Sequence, residues 1–205
     1  MLDARFRELL LFAIFTLSGA AALVYQVCWQ RLLFGAFGVD VESITIIVST
    51  FMLGLGCGAL IGGKLADRYD EQIINLFVAA ELAIGSFGLA SPWLIAAVGS
   101  EFVRSSLATI SVANFLLLLI PTTCMGATLP MLVAYCVRSS GNVGVSVGAL
   151  YEANTFGAAA GALASGLVLF VVLPLDRVIY LAALANLLVA ALAYFVVRQR
   201  REAAA

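Results

Sequence analysis

Six long apolar segments separated by short charged connectors fill the chain from residue 9 to residue 197. An apolar helix needs about 20 residues to cross a hydrocarbon core about 30 Å thick, and every segment is long enough. The expected spans are 9–36, 43–63, 73–98, 106–135, 144–173 and 178–197. Composition points the same way. Hydrophobic residues make up 63% of the 205 positions and charged residues 11%, with a mean hydropathy of +1.10, so too little charge remains to coat a water-facing surface. The predicted fold class is an all-α membrane protein with six transmembrane helices, one membrane domain over residues 1–205 without a soluble catalytic domain.

Lys and Arg sort by connector. Arg5, Arg7, Lys64, Arg68, Arg138, Arg198, Arg200 and Arg201 fall on one side, Arg104 and Arg177 on the other, and Arg31 near the end of the first span. The positive-inside rule then places both termini in the cytoplasm. Arg5 and Arg7 precede an apolar run much longer than the 7–15 residues of a signal-peptide core, so the first segment is expected to stay as a helix. Cys28, Cys57, Cys124 and Cys136 lie within the spans without CxxC spacing, and the chain has no histidine. Neither a disulfide framework nor a metal site is expected. No cofactor, catalytic residue or nucleic-acid partner is expected either.

Helices in lipid gain little from hydrophobicity when they associate, so small residues that let backbones approach mark the crossings. Gly54, Gly58 and Gly62 form one such ridge in the second span, flanked by Gly56 and Gly63. Gly144, Gly148, Gly157, Gly161 and Ser165 form another in the fifth. Pro121 and Pro130 in the fourth span each remove a backbone donor and free a carbonyl, which predicts a kink or partial unwinding, with Thr122, Thr123 or Thr128 re-satisfying the backbone.

Ionisable groups deep in a span are costly and face a partner or a water-filled cavity. Glu81 and Glu152 each sit eight residues into a span that starts from the cytoplasmic side, about 12 Å deep at a rise of 1.5 Å per residue. At matching depth they are expected to line one cavity able to bind an amine cation or a proton. The structural alternative has each carboxyl simply protonated, or hydrogen-bonded to a neighbour such as Asn75, Tyr151 or Asn154. Tyr25, Gln26, Trp29, Gln30 and Arg31 form a polar and aromatic cluster toward the outer end of the first span. An aromatic belt and a snorkelling arginine account for Trp29 and Arg31. Gln26 calls for an interhelical partner, as do Asn114 and Asn186.

Thr50-Phe51, a small-residue ridge and Leu65-Ala66-Asp67-Arg68 parallel Thr155-Phe156, a ridge and Leu175-Asp176-Arg177, in spans of opposite direction. That is the pattern of a three-plus-three inverted repeat. The loop Gly63-Lys64-Leu65-Ala66-Asp67-Arg68 resembles the motif between helices two and three of the major facilitator superfamily. It departs at Asp70 and Glu71, where that motif expects glycine and basic residues. Ser18 through Arg31, Pro121 through Pro130 with its Met-Gly-Ala-Thr-Leu-Pro ending, and Leu150-Tyr151-Glu152-Ala153-Asn154-Thr155-Phe156-Gly157 resemble the membrane domain of bacterial membrane-bound spermidine synthase-like proteins, over nearly the whole chain.

The resemblance implies a bundle like half of a major facilitator, in a bacterial cytoplasmic membrane, without the aminopropyltransferase domain that follows the last helix in those proteins. The function expected is transport of a small solute such as an organic amine or polyamine, with Glu81, Glu152, Asn154, Tyr151 and Gln26 as its binding residues. The alternatives are a non-transporting subunit of a larger membrane complex, or an anchor for a separately encoded spermidine synthase-like enzyme. A six-helix half calls for a homodimer or a heteromeric membrane partner. By motif position Asp67, within the Gly63, Asp67 and Arg68 loop, is expected near residues 142–146 of a second copy.

Overall fold

The computed structural model describes residues 4–37, 40–101 and 106–204. Six long helices occupy them: α1 Ala4–Phe37, α2 Asp40–Arg68, α3 Ile73–Glu101, α4 Leu107–Ser140, α5 Val143–Ala164 and α6 Leu175–Ala204. A 3-10 turn at Asp70–Gln72 joins α2 to α3, and α5 runs on through a π-helical stretch, Ser165–Leu169, into a last turn, Phe170–Val172. All six are long and apolar enough to cross a membrane. The chain is a multi-pass, all-helical membrane protein.

The helices overrun the expected spans at the charged ends, with α1 starting at Ala4, α2 ending at Arg68, α4 at Ser140 and α6 at Ala204. Arg, Glu, Gln, Lys and Ala are good helix formers in water. Apolar runs therefore mark where lipid ends rather than where the helix ends. Caps fix two starts: Ser106 Oγ accepts the Thr109 N–H at 3.3 Å ahead of α4, and Asn142 Oδ1 accepts the Val145 N–H at 3.1 Å ahead of α5. Gly141 ends α4 with φ +67° and donates its N–H to Val137 O at 2.7 Å, a left-handed position that suits glycine. Arg138 at the end of α4 pairs with Asp70 in the α2–α3 connector. Those two connectors lie on the same side of the bundle, as alternating crossings require.

The principal contacts join α2 with α4, α1 with α5, α3 with α6, α3 with α4, and α1 with α6. Exchanging the first three helices for the last three returns the same set: α2–α4 becomes α5–α1, α3–α4 becomes α6–α1, and α3–α6 maps onto itself. The glycine ridges sit at the two equivalent crossings. A Cβ on Gly58 would lie 2.8 Å from Gly126 Cα, and one on Gly62 2.7 Å from Ala127 Cα. A Cβ on Gly161 would lie 2.8 Å from Ala20 Cα, and one on Gly54 or Gly157 would strike Thr122 or Thr16. At such contacts only glycine lets the helices meet.

The expectation of unwinding needs correction. Helix α4 does not unwind at Pro121 and Pro130 but stays helical from Leu107 to Ser140. Around the first proline, Thr122 Oγ1 donates to Leu118 O at 2.8 Å and to Leu119 O at 3.1 Å, and Thr123 Oγ1 donates to Leu119 O at 2.7 Å. The irregularity falls in α5 instead, as the π-helical stretch at Ser165–Leu169.

Candidate functional site

The buried face of α3 is a stripe at helical spacing: Ile73, Ile74, Phe77, Glu81, Ile84, Gly85, Gly88, Ser91 and Ile95. Its upper half is small where α1 is large. Tyr25 lies against Gly88, and Trp29 Nε1 donates to Ser91 Oγ at 2.8 Å, which in turn donates to Gly88 O at 2.9 Å. The Trp29 ring stacks on Tyr25 with centroids 4.8 Å apart and meets the edge of Phe87 at 5.7 Å. Trp29 is wholly buried, so it belongs to the packed core and not to an interfacial aromatic belt. The belt reading failed because a tryptophan near a helix end looks the same in sequence whether it faces lipid or a neighbouring helix. Arg31 is exposed, and its guanidinium lies 3.9 Å from the Phe170 ring centroid, just beyond the π-helical stretch.

Glu81 is fully buried at the lower end of this stripe. Ser18 of α1 donates to its Oε1 at 2.7 Å, and Asn186 Nδ2 of α6 lies 2.6 Å from its Oε2. One carboxyl thus ties three helices together. No Lys or Arg pairs with it among the described residues. Two buried oxygens in this part of the bundle, Tyr25 Oη and Asn186 Oδ1, have no hydrogen-bond partner. The partners proposed from sequence, Asn75, Tyr151 and Asn154, are not the ones Glu81 uses. In the sequence Ser18 stands out only as the first residue of the Ser18–Arg31 stretch. Asn186 carried a signal that was available: it lies 105 positions beyond Glu81, the same step that separates Thr50-Phe51 from Thr155-Phe156.

Glu152 is not brought to Glu81. It is exposed on α5, whose inward residues are Ser146, Leu150, Ala153, Gly157 and Gly161. Tyr151 and Phe156 beside it are 60% and 67% exposed. The expected shared cavity is therefore replaced by two separate carboxyl environments, one sealed and one open. Asn154 is half-buried at the α1 crossing, where its backbone and side-chain oxygens face Gly19. Gln26 is half-buried. Asp67 and Arg68 are exposed, the Arg68 guanidinium 5.7 Å from the Tyr69 ring centroid, and Gly63 has open space around its Cα. All four cysteines are free. Among the described residues no group of three His, Cys, Asp or Glu side chains is placed to hold a metal.

No family model matches the chain, and no solved structure matches it. Among curated proteins, a triacylglyceride transporter of Mycolicibacterium smegmatis is 33% identical over 78 residues, which is 38% of this chain and 14% of that protein. The chain thus matches about one seventh of the relative's length.

Proposed function

We propose that the chain is a half-sized transport unit, similar to half of a major facilitator, whose solute path runs along the outward face of α5 and is closed by a second copy. The observation that carries this reading is Glu152, a carboxyl exposed at membrane depth with apolar Tyr151 and Phe156 around it. Ionisable groups on insertion scales cost roughly 2.5–3.5 kcal/mol at the centre of a span, so this face belongs against water or protein and not against lipid. The partial likeness to a transporter supports the class of function. A carboxyl flanked by aromatic and aliphatic side chains suits a small organic cation with an apolar body, an amine above all. Both termini and the Asp67 connector are assigned to the cytoplasmic side of a bacterial inner membrane, with Asp67 meeting the start of α5 in the second copy.

The name of that relative favours a second cargo for the same face, a neutral lipid. The two differ in their need for charge. In proteoliposomes, Glu152→Gln should lower uptake of an organic amine at least tenfold while leaving movement of a neutral lipid at the parent rate. Parent-level amine uptake by the variant would remove Glu152 from the path. The readings of the chain as an anchor for a spermidine synthase-like enzyme, or as a scaffolding subunit, require no uptake of either.

A further inference from the structure

The Glu81 cluster lies apart from the outward face of α5 and is sealed from it, so what it binds is a separate question. We propose that Glu81 and Asn186 form a proton-holding carboxyl–amide pair, the proton seated between Glu81 Oε2 and Asn186 Oδ1 in the middle of the bundle. Three observations carry this. The side chains approach to 2.6 Å, hydrogen-bond contact whichever end of the amide faces the carboxyl. Asn186 is 2% exposed, yet its Oδ1 has no donor. The two ends of an amide are told apart only by their hydrogen bonds, and turning this one places Oδ1 against Oε2, where a carboxyl proton is the donor it lacks. Finally, the side chains that bond Glu81 are Ser18 of α1 and Asn186 of α6, and among the described residues no Lys or Arg pairs with it to neutralise a carboxylate. In this arrangement Ser18 Oγ still donates to Oε1, so the carboxyl is satisfied at both oxygens, while the amide N–H2 takes the buried place that Oδ1 held.

Glutamine is the shape of a protonated glutamate: Nε2 donates where the acid O–H would, and Oε1 accepts where the acid carbonyl would. If the pair holds a proton, Glu81→Gln meets Ser18 and the turned Asn186 amide without loss. If Glu81 is a carboxylate receiving two donors, the substitution deletes two charge-assisted hydrogen bonds and makes the Asn186 amide turn, and the bundle is weakened. The expected result is therefore a melting temperature for Glu81→Gln within a degree or so of the parent, and a clear loss for Glu81→Ala. A strong loss or failure to fold for Glu81→Gln overturns the proposal. Infrared spectra of protein labelled at glutamate supply an independent measure in a Glu152→Gln background, where Glu81 is the one glutamate left deep in a span. A carboxylic-acid carbonyl band at neutral pH, moved to higher frequency by Asn186→Ala, is expected. A spectrum with carboxylate bands alone overturns it even where the Glu81 variants cannot be made.

Discussion

Glycine at the α2–α4 crossing can be tested with an internal control two residues away. In Gly58→Ala the added methyl would lie 2.8 Å from Gly126 Cα and 2.9 Å from Ala127 N, whereas a Cβ at Gly56 meets nothing within 4 Å. The obstructing atoms are backbone, so no side-chain rotation relieves the clash and the helices must separate. Overpacking of this kind typically costs about 1–3 kcal/mol. At Gly56 the same substitution gains up to about 1 kcal/mol of helix propensity with no clash to offset it. Since 1 kcal/mol shifts the melting temperature of a chain this size by about 2–4 °C, Gly58→Ala should melt roughly 2–12 °C below Gly56→Ala in the same detergent or nanodisc. The internal repeat extends the test to α1–α5, where a Cβ on Gly161 would lie 2.8 Å from Ala20 Cα and one on Gly148 meets nothing. Gly161→Ala should fall below Gly148→Ala by a similar margin. Equal melting temperatures for Gly58→Ala and Gly56→Ala would refute the close crossing.

Trp29→Phe removes the buried bond to Ser91 and should cost about 1 kcal/mol for the lost hydrogen bond, with a further penalty for the smaller ring; thermal melting beside Trp93→Phe, at an exposed tryptophan, checks it. In a cysteine-free chain, single cysteines near Arg68 and Arg138 should react with an impermeant maleimide only from the cytoplasmic side, and labelling from outside would reverse the assigned orientation.

Much of the fold was legible because lipid imposes a coarse and demanding code. Apolar length located all six helices, and of the glycines spaced by four Gly54, Gly58, Gly62, Gly157 and Gly161 mark crossings that the structure uses, whereas Gly144 and Gly148 at the start of α5 meet no other helix. The register of the repeat was less accessible. Matching Thr50-Phe51 to Thr155-Phe156 implies a step of 105, and Glu81 and Asn186 obey it. The crossings instead pair Gly54 with Gly157 and Gly58 with Gly161, two residues short of that step, while Thr16 and Thr122 are offset by 106. Side-chain identity and backbone approach drift apart by part of a helical turn between the two halves, so no single alignment captures both. At the prolines the threonine hydroxyls do take nearby carbonyls, as their spacing suggests, but a string of residues does not show that the helix then runs on without unwinding.

Glu81 and Glu152 show where depth stops being informative. Both sit at the same distance along helices that run the same way, and by that measure they belong together. What separates them is rotation about the helix axis, which depends on which neighbours each helix meets. Glu81 shares a face with Phe77, Ile84, Gly85 and Gly88, so its stripe packs inward, and a substitution that removes the side chain's hydrogen-bonding end altogether, as Glu81→Ala does, should be felt as a loss of stability. Glu152 lies off the Ala153, Gly157 and Gly161 stripe that meets α1, so its charge has no role inside its own bundle. Equal cost of burial therefore carries opposite meanings at the two positions: at Glu81 three helices meet the cost, and at Glu152 it falls to whatever lies against α5.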